Sequence, residues 1–194
     1  MAKRGFDILG ALALGALLAL PCLLAAVAVR VLLGPGVLFR QVRAGGHGAP
    51  FAVLKLRSMR DGPGDDAARL TRFGRWLRAS ALDEVPQLWN VLRGEMSLVG
   101  PRPLPLAYLP FFSPREATRL RVRPGLCGLA QAEGRNAVGW DRRLELDARY
   151  VETMSLRGDI RIIARCAWVV LRGRGRGAAR PLSEARARPS PSSR

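Results

Sequence analysis

The apolar and polar positions divide the chain near residue 30. From Ile8 to Val29 no side chain is charged or strongly polar. As one straight helix that run would reach about 33 Å, roughly the hydrocarbon thickness of a bilayer. A secretory signal peptide is the first rival, because Lys3 and Arg4 precede the run. Its apolar core is usually about 7–15 residues, and here the run passes into AVRVLLGPG with no convincing cleavage site, so it reads as a retained membrane element. Pro21 removes one helical hydrogen bond and can break a helix, although membrane helices often tolerate proline. Lys3 and Arg4 lie before the run and Arg30, Arg40 and Arg43 after it. Basic flanks favour the cytoplasmic side, and here both ends ask for it. On these residues a re-entrant helix-break-helix and a spanning helix stand level.

Beyond the run the pattern shortens. GVLFRQVRAGGHGAPFAVLKLRS predicts two short strands around a glycine-rich loop that holds His47. DGPGDDAARL predicts a flexible connector. RLTRFGRWLRASALDE sets Phe73, Trp76 and Leu77 beside Arg72, Arg75 and Arg78, a helix able either to lie on a membrane or to pack on its own core. A helix follows over about 84–93, with Val85, Leu88, Trp89 and Leu92 as its buried stripe and Gly94 as its stop. Ser113-Pro114-Arg115-Glu116 predicts another helix start, capped by Ser113. VGWDRRLELDARYVETMSLRGD and IRIIARCAWVVLRG supply the last helical regions. The fold class is therefore mixed α/β and helix-rich: a membrane element over 1–33, a small globular domain over 34–172 with short strands and surface amphipathic helices, and a disordered basic tail over 173–194.

Charge and cysteine content narrow the chemistry. The formal net charge is +17, and the excess of arginine suits nucleic acid, anionic head groups or a phosphorylated substrate. No nucleic-acid module is recognisable, so a lipid surface with a phosphate substrate is favoured. Cys22, Cys127 and Cys166 form no CxxC, which argues against a disulfide framework or zinc site. His47 is the only histidine and reads as a solvated loop residue, leaving carboxylates, arginines and a metal to carry any reaction.

ASALDEVPQLWNVLRGEMSLVGPRP holds the candidate chemistry. Pro86 is tolerated in the first turn of a helix, which puts Asp83 and Glu84 at a helix start. There a carboxylate is an ordinary cap. Alternatively, with Lys55, Arg57, Arg78 and Arg102 to surround it, it is an ionised nucleophile able to attack phosphorus and form an acyl phosphate. Mg²⁺ between carboxylate and phosphate would offset their repulsion.

The sequence resembles the bacterial sugar transferases, the monotopic polyprenol-phosphate phosphoglycosyl transferases. The likeness runs from about residue 3 to about 172 through KRGFDILGA, the proline-containing apolar run, GPGVLFRQVRAGGHGAPFAVLKLRSM, LTRFGRWLRASALDEVPQLWNVLRGEMSLVGPRP, RPGLCGLAQAEGRN and LELDARYVETMSLRGDI. The resemblance implies an enzyme that moves a phospho-sugar from a UDP-sugar to undecaprenyl phosphate and releases UMP, the first step in building a bacterial exopolysaccharide, capsule, O-antigen or glycoprotein. It implies Asp83 as nucleophile and Mg²⁺ ligand, through an aspartyl phospho-sugar intermediate. Glu84 completes the dyad, and Lys55, Arg78 and Arg102 hold phosphate. It also favours a re-entrant helix broken at Pro21, in the inner membrane, with the catalytic domain on the cytoplasmic face.

Several family features are altered here. Leu20 precedes Pro21 where the family often has serine, and KLRSM lacks the phenylalanine that usually follows the lysine. SALDEVPQ replaces the commoner SLDELPQ, and Cys127 stands where threonine is frequent. None of these removes a charged motif residue. Gln131, Arg135 and Asn136 are expected to touch nucleotide or sugar. Partners are then the UDP-sugar, undecaprenyl phosphate and membrane lipids, without nucleic acid; a homodimer is compatible, and the sugar is not specified. Two rival readings are a catalytically silent membrane scaffold and a membrane-tethered nucleic-acid binder. The scaffold predicts no Mg²⁺-dependent use of UDP-sugars, and the nucleic-acid binder predicts salt-sensitive DNA binding.

Overall fold

The computed structural model describes residues 2–134, 137–172 and 182. Apart from residue 182, the expected tail over 173–194 lies outside them. The chain divides into two compact units, one of Met1–Val42 with Phe51–Leu98, the other of Arg43–Pro50 with Val99–Arg194.

Helix α1 (Ala2–Leu33) leads the first unit and includes Pro21. The expected break does not interrupt the helix. Proline withholds a single N–H, so the loss is confined to the Leu17 carbonyl and turns on either side keep their bonds. By length and apolarity α1 could cross a membrane.

Both ends of α1 are fixed within this unit. Near its start Asp7 is buried, and its Oδ1 accepts from the Ser97 hydroxyl at 2.9 Å and the Leu98 N–H at 3.0 Å. Gly10 lets this turn approach Leu98, where an added Cβ would stand 2.5 Å from Cδ1. Arg4 donates to the carbonyls of Val91 and Leu92 at 2.6 and 2.8 Å. Near the other end Ala25 and Val29 enter a core with Leu56 and Leu77. Arg57 donates to the Leu33 and Gly34 carbonyls at 2.7 and 2.8 Å and pairs with Asp61, completing the C-terminus of α1. Between these anchors Leu12, Leu17, Leu20, Leu23 and Leu24 are exposed.

Strands β1 (Leu38–Ala44) and β2 (Pro50–Leu56) form the expected hairpin. Its tip, Arg43–Pro50, belongs to the second unit. There His47 is exposed, with φ 56°. The expected connector contains one helical turn, α2 (Asp66–Arg69), because Asp65 caps the Ala68 N–H at 2.8 Å. In α3 (Arg72–Ser80), Gly74 lies against the Ser58 carbonyl, where a Cβ would stand only 1.8 Å away. Leu77 is fully buried while Trp76 is 54% exposed, so α3 packs on a core and still presents an aromatic ring to the outside.

Helix α4 (Gln87–Arg93) begins later than the pattern predicts, and Gly94 ends it at φ 82°. Its buried stripe also differs. Trp89 is 57% exposed, whereas Gln87, Leu88, Asn90 and Val91 are buried. Asn90 replaces an apolar contact with a polar bracket. Its amide donates to the Ala52 carbonyl at 2.8 Å and Glu95 at 2.7 Å, and its oxygen accepts from the Leu54 N–H at 3.1 Å. Strand β3 (Ser97–Val99) follows.

In the second unit α5 (Pro114–Ala117) opens with the full capping box at Ser113 and Glu116. Strand β4 (Gly125–Cys127) meets the turn after β3: the Gly100 N–H donates to the Cys127 carbonyl at 2.8 Å and the Gly125 N–H to the Pro101 carbonyl at 2.9 Å. A Cβ on Gly125 would stand 2.0 Å from the Gly100 nitrogen, so only glycine permits this approach. Helices α6 (Leu129–Gly134), α7 (Trp140–Thr153) and α8 (Leu156–Leu171) pack together. The buried Tyr150 hydroxyl lies 2.9 Å from both the Val99 carbonyl and Asp159 Oδ1.

Candidate active site

Asp83 and Glu84 do not lie in the first turn of α4. They occupy a separate 3-10 turn, Leu82–Glu84, between α3 and α4. Pro86 explains the separation. It supplies no N–H, so the chain advances by short bonds from Leu88 N–H to Val85 and from Trp89 N–H to Pro86 before α4 is established. Ala81 joins α3 to this turn in the left-handed region, at φ 58° and ψ 12°. For alanine that conformation costs about 1–2 kcal/mol. Such a kink turns the acids away from the direction of α3 and into the unit's interior.

Both acids are buried, Asp83 to 5% exposure and Glu84 to 8%. Lys55, from β2, reaches Glu84 Oε1 at 2.7 Å. A carboxylate out of bulk water needs such compensation, since an unpaired buried charge is strongly unfavourable. Arg78 leaves the last turn of α3 and donates from Nε to the Ser58 hydroxyl at 2.8 Å. The first unit therefore brings Lys55 onto the dyad itself and Arg78 onto the α3 turn that leads into it.

Arg57 differs from its expected role. It is 8% exposed and committed to the carbonyls that end α1, so it acts as a structural clamp. Its charge in the sequence gave no hint of this use.

The other expected residues belong to the second unit. Arg102 and Gln131 line one cleft there, with Leu104, Arg119, Ala130, Trp140, Arg143, Leu144 and Asp147. Arg135 and Asn136 lie outside the described residues. Arg119 and Asp147 form a buried ion pair at 2.8 Å, and Arg119 also donates to the Arg102 carbonyl at 2.6 Å. Burial raises the Asp147 carboxyl above its ordinary range, against the opposing pull of Arg119 and Arg143. Burial and the charge of Arg102 together lower both Arg43 and Arg143. Arg119, Arg143 and Asp147 escape sequence inspection because they occupy charged stretches that look like ordinary solvated helix faces.

Among the described residues no group of three or more His, Cys, Asp or Glu side chains forms a metal cage. The adjacent acids still suit Mg²⁺. That ion commonly takes one or two carboxylates and completes its shell with substrate phosphates and waters. With Glu84 Oε1 engaged by Lys55, Asp83 would be the protein ligand of such an ion.

Comparison with known proteins places this geometry in context. The Bacterial sugar transferase family model matches residues 1–173. An uncharacterized sugar transferase of Bacillus subtilis, EpsL, is 43% identical over 179 residues, covering 89% of each chain. The UDP-glucose:undecaprenyl-phosphate glucose-1-phosphate transferase of Caulobacter vibrioides is 48% identical over 183 residues, covering 84% of this chain and 67% of its own. The undecaprenyl-phosphate galactose phosphotransferase of Salmonella typhimurium is 38% identical over 165 residues, covering 73% of this chain and 34% of its own. Similarity at this level, extending from the apolar helix through the acidic turn to the last helix, means that the chain belongs to the bacterial sugar transferase family.

Proposed function

We propose that this phosphoglycosyl transferase moves a phospho-sugar from a UDP-sugar to undecaprenyl phosphate through an intermediate on Asp83. Relatives named as undecaprenyl-phosphate glucose and galactose phosphotransferases support the substrate class. The observation that carries the reading is the buried Asp83–Glu84 turn, with Lys55 on Glu84 and a left-handed alanine holding the turn in place.

The chemistry follows from carboxylate nucleophilicity. An Asp83 oxygen attacks the sugar-linked phosphorus, a new O–P bond forms, and the bridging P–O bond breaks with its electron pair leaving on UMP. In the second step an oxygen of the lipid phosphate attacks the same phosphorus, and Asp83 leaves as a free carboxylate. Neither step needs proton transfer to Asp83. Lys55 holds Glu84 fixed beside the nucleophile, so the pair is oriented before substrate arrives. Arg78 and Arg102 are assigned to phosphate, Arg78 keeping its two terminal nitrogens available while Nε is held by Ser58. Mg²⁺ at Asp83 would supply neutralisation of phosphate charge.

The reading also assigns α1 a re-entrant path, on the cytoplasmic face of the inner membrane, with the uninterrupted helix bending at Pro21 rather than breaking there. Arg4 and Asp7 at one end, and Leu33 and Gly34 at the other, bond to the same unit. A spanning helix would carry its ends to opposite sides of the bilayer, whereas one polar unit holding both ends keeps them on one side. The exposed Leu12–Leu24 middle is then the part that enters lipid. Exposed Trp76 and Trp89 suit the boundary layer, where indole rings collect.

The test is UMP release by membrane-embedded protein with UDP-sugars and Mg²⁺. Up to one equivalent of UMP without lipid acceptor, sustained turnover with it, and loss of both in Asp83→Asn are expected. Full activity in Asp83→Asn overturns the assignment.

A further inference from the structure

The second unit's cleft contains hydrogen-bonding capacity that its own residues leave unused. Gln131 is 92% buried, from its 8% exposure, yet neither its amide nitrogen nor its amide oxygen has a hydrogen-bond partner among the described residues. Asp147 Oδ1 is likewise buried and unmatched, the other oxygen being held by Arg119. Arg143 Nε completes the set. Buried polar atoms are nearly always paired in folded proteins, and leaving them unmatched is unfavourable. Here the unmatched atoms comprise a donor and an acceptor from one amide, a carboxylate oxygen and a guanidinium N–H, all on residues lining one opening.

The local backbone makes room for this arrangement. Gly128 precedes α6, and a Cβ there would stand 2.5 Å from Gln131 Oε1. Glycine thus gives the amide its seat. The residues come from elements packed against each other, Gln131 on α6 and Trp140, Arg143 and Asp147 on α7.

The chemistry of these atoms selects a ligand. A carboxylate oxygen accepts readily from any sugar hydroxyl, whereas the uracil edge offers it a single N–H, at N3, between two carbonyl oxygens that it repels. An amide and a guanidinium serve hydroxyl groups equally well, because a hydroxyl both donates and accepts. Trp140 is already flanked by the Arg143 guanidinium, 4.9 Å from its ring centre, and by Tyr108 edge-on at 5.6 Å. The cleft's recognising groups are therefore hydrogen-bonding ones rather than an open stacking surface. At the same opening stands Arg102, whose charge disfavours the cationic forms of both Arg43 and Arg143. The repulsion that Arg102 exerts on each of them is relieved by an anion. Hydroxyl partners beside an anion partner describe a phosphorylated sugar.

We infer that this cleft binds the hexose of the donor, with Gln131, Arg143 and Asp147 reading its hydroxyl groups and Arg102 holding the attached phosphate. The inference rests on the UDP-sugar reading for its place in the reaction, but the binding chemistry stands independently of turnover. Gln131 and Arg143 are specificity-determining residues in this scheme. Asp147 has the additional structural duty of neutralising Arg119 and is a poor first choice for substitution.

The experiment uses full-length protein in lipid nanodiscs, comparing wild type with Gln131→Ala and Arg143→Gln after confirming unchanged melting. UMP release is measured with UDP-glucose, UDP-galactose and UDP-N-acetylglucosamine, and UMP is tested as a competitor. Each variant should raise KM for the preferred donor at least tenfold and shrink its preference over the other two. Inhibition by UMP, which carries ribose but no hexose, should stay within twofold of wild type. Unchanged KM and donor preference, as a merely water-filled cleft predicts, would overturn the inference. So would parallel weakening of UMP inhibition, which would make this a nucleotide-recognition site. A second measurement needs no turnover: glucose 1-phosphate and galactose 1-phosphate are titrated while intrinsic tryptophan fluorescence is followed. Binding to wild type, weakened at least tenfold in Gln131→Ala, is expected; no binding, or equal binding to both proteins, contradicts it. If no donor releases UMP yet this binding is seen, the transferase reading fails while the sugar cleft survives.

Discussion

Replacing Asp7 with alanine tests how the membrane helix is held to its unit. Asp7 is 1% exposed, and one of its oxygens accepts from both the Ser97 hydroxyl and the Leu98 backbone N–H, at 2.9 and 3.0 Å. Hydrogen bonds to a charged group contribute about 1.5–3 kcal/mol each, while a buried donor left unmatched costs about 1–3 kcal/mol. The Ser97 hydroxyl can rotate toward another acceptor, but the Leu98 N–H cannot. Asp7→Ala should therefore destabilise the protein by about 2–4 kcal/mol. Asp7→Asn retains one acceptor oxygen and should cost about half as much. Lys3, 3.8 Å away and part-exposed, adds little, because such pairs contribute about 0–1 kcal/mol. Denaturant unfolding in a fixed detergent, with the slope compared between variants, supplies the differences. A double-mutant cycle with Ser97→Ala should show coupling of about 0.5–3 kcal/mol. If Asp7→Ala shifts stability by less than about 0.5 kcal/mol, the proposed anchor is absent.

Three further outcomes follow from individual contacts. Ala81→Gly removes the left-handed penalty, which exceeds the added chain entropy of glycine, and should stabilise the fold by about 0.5–1 kcal/mol in the same unfolding measurement. Asn90→Leu leaves the Leu54 N–H and Ala52 carbonyl without partners and should destabilise by about 2–4 kcal/mol, despite adding apolar surface at the buried position. Arg115 bonds to Glu145 and Glu152, and its hydrogen bond lowers the Glu145 carboxyl below the ordinary value. A depressed folded-state pKa contributes stability above the unfolded value, about 4.3, that is lost as pH falls through the folded value. Arg115→Met should accordingly flatten the acid limb of the melting-temperature profile between about pH 5 and 3, and added salt should shrink the difference.

The features that local sequence rules describe were the legible ones. The glycine-rich loop specified the hairpin because it had to turn the chain at His47, and Ser113-Pro114-Arg115-Glu116 specified a capped helix because all its partners lie within four residues. The apolar run identified α1, but its composition contained nothing about Asp7, whose acceptor role depends on Ser97 and Leu98 far along the chain. Periodicity misjudged α4 for the same reason. Trp89 lies on the expected apolar stripe, yet Asn90 is the residue drawn inward, by backbone groups of β2.

Around the candidate site the residue types were informative and their arrangement was not. The acidic pair could be singled out by its rarity in a basic chain, and Lys55 does reach it. That the acids occupy their own 3-10 turn depends on Ala81 adopting a conformation alanine seldom takes. Arg57 and Arg78 looked equivalent by charge. Folding separates them: Arg57 completes the end of α1, and Arg78 is held through Ser58 beside the acidic turn.

The central claim, covalent catalysis by Asp83, is tested most directly by incubating the protein with UDP-sugar and Mg²⁺ without acceptor, quenching in acid and mapping peptides by mass spectrometry. The account predicts one phospho-hexose on the peptide containing Asp83, discharged by later addition of undecaprenyl phosphate. An adduct on another side chain, or turnover of the same donor with no adduct at any stage, contradicts it.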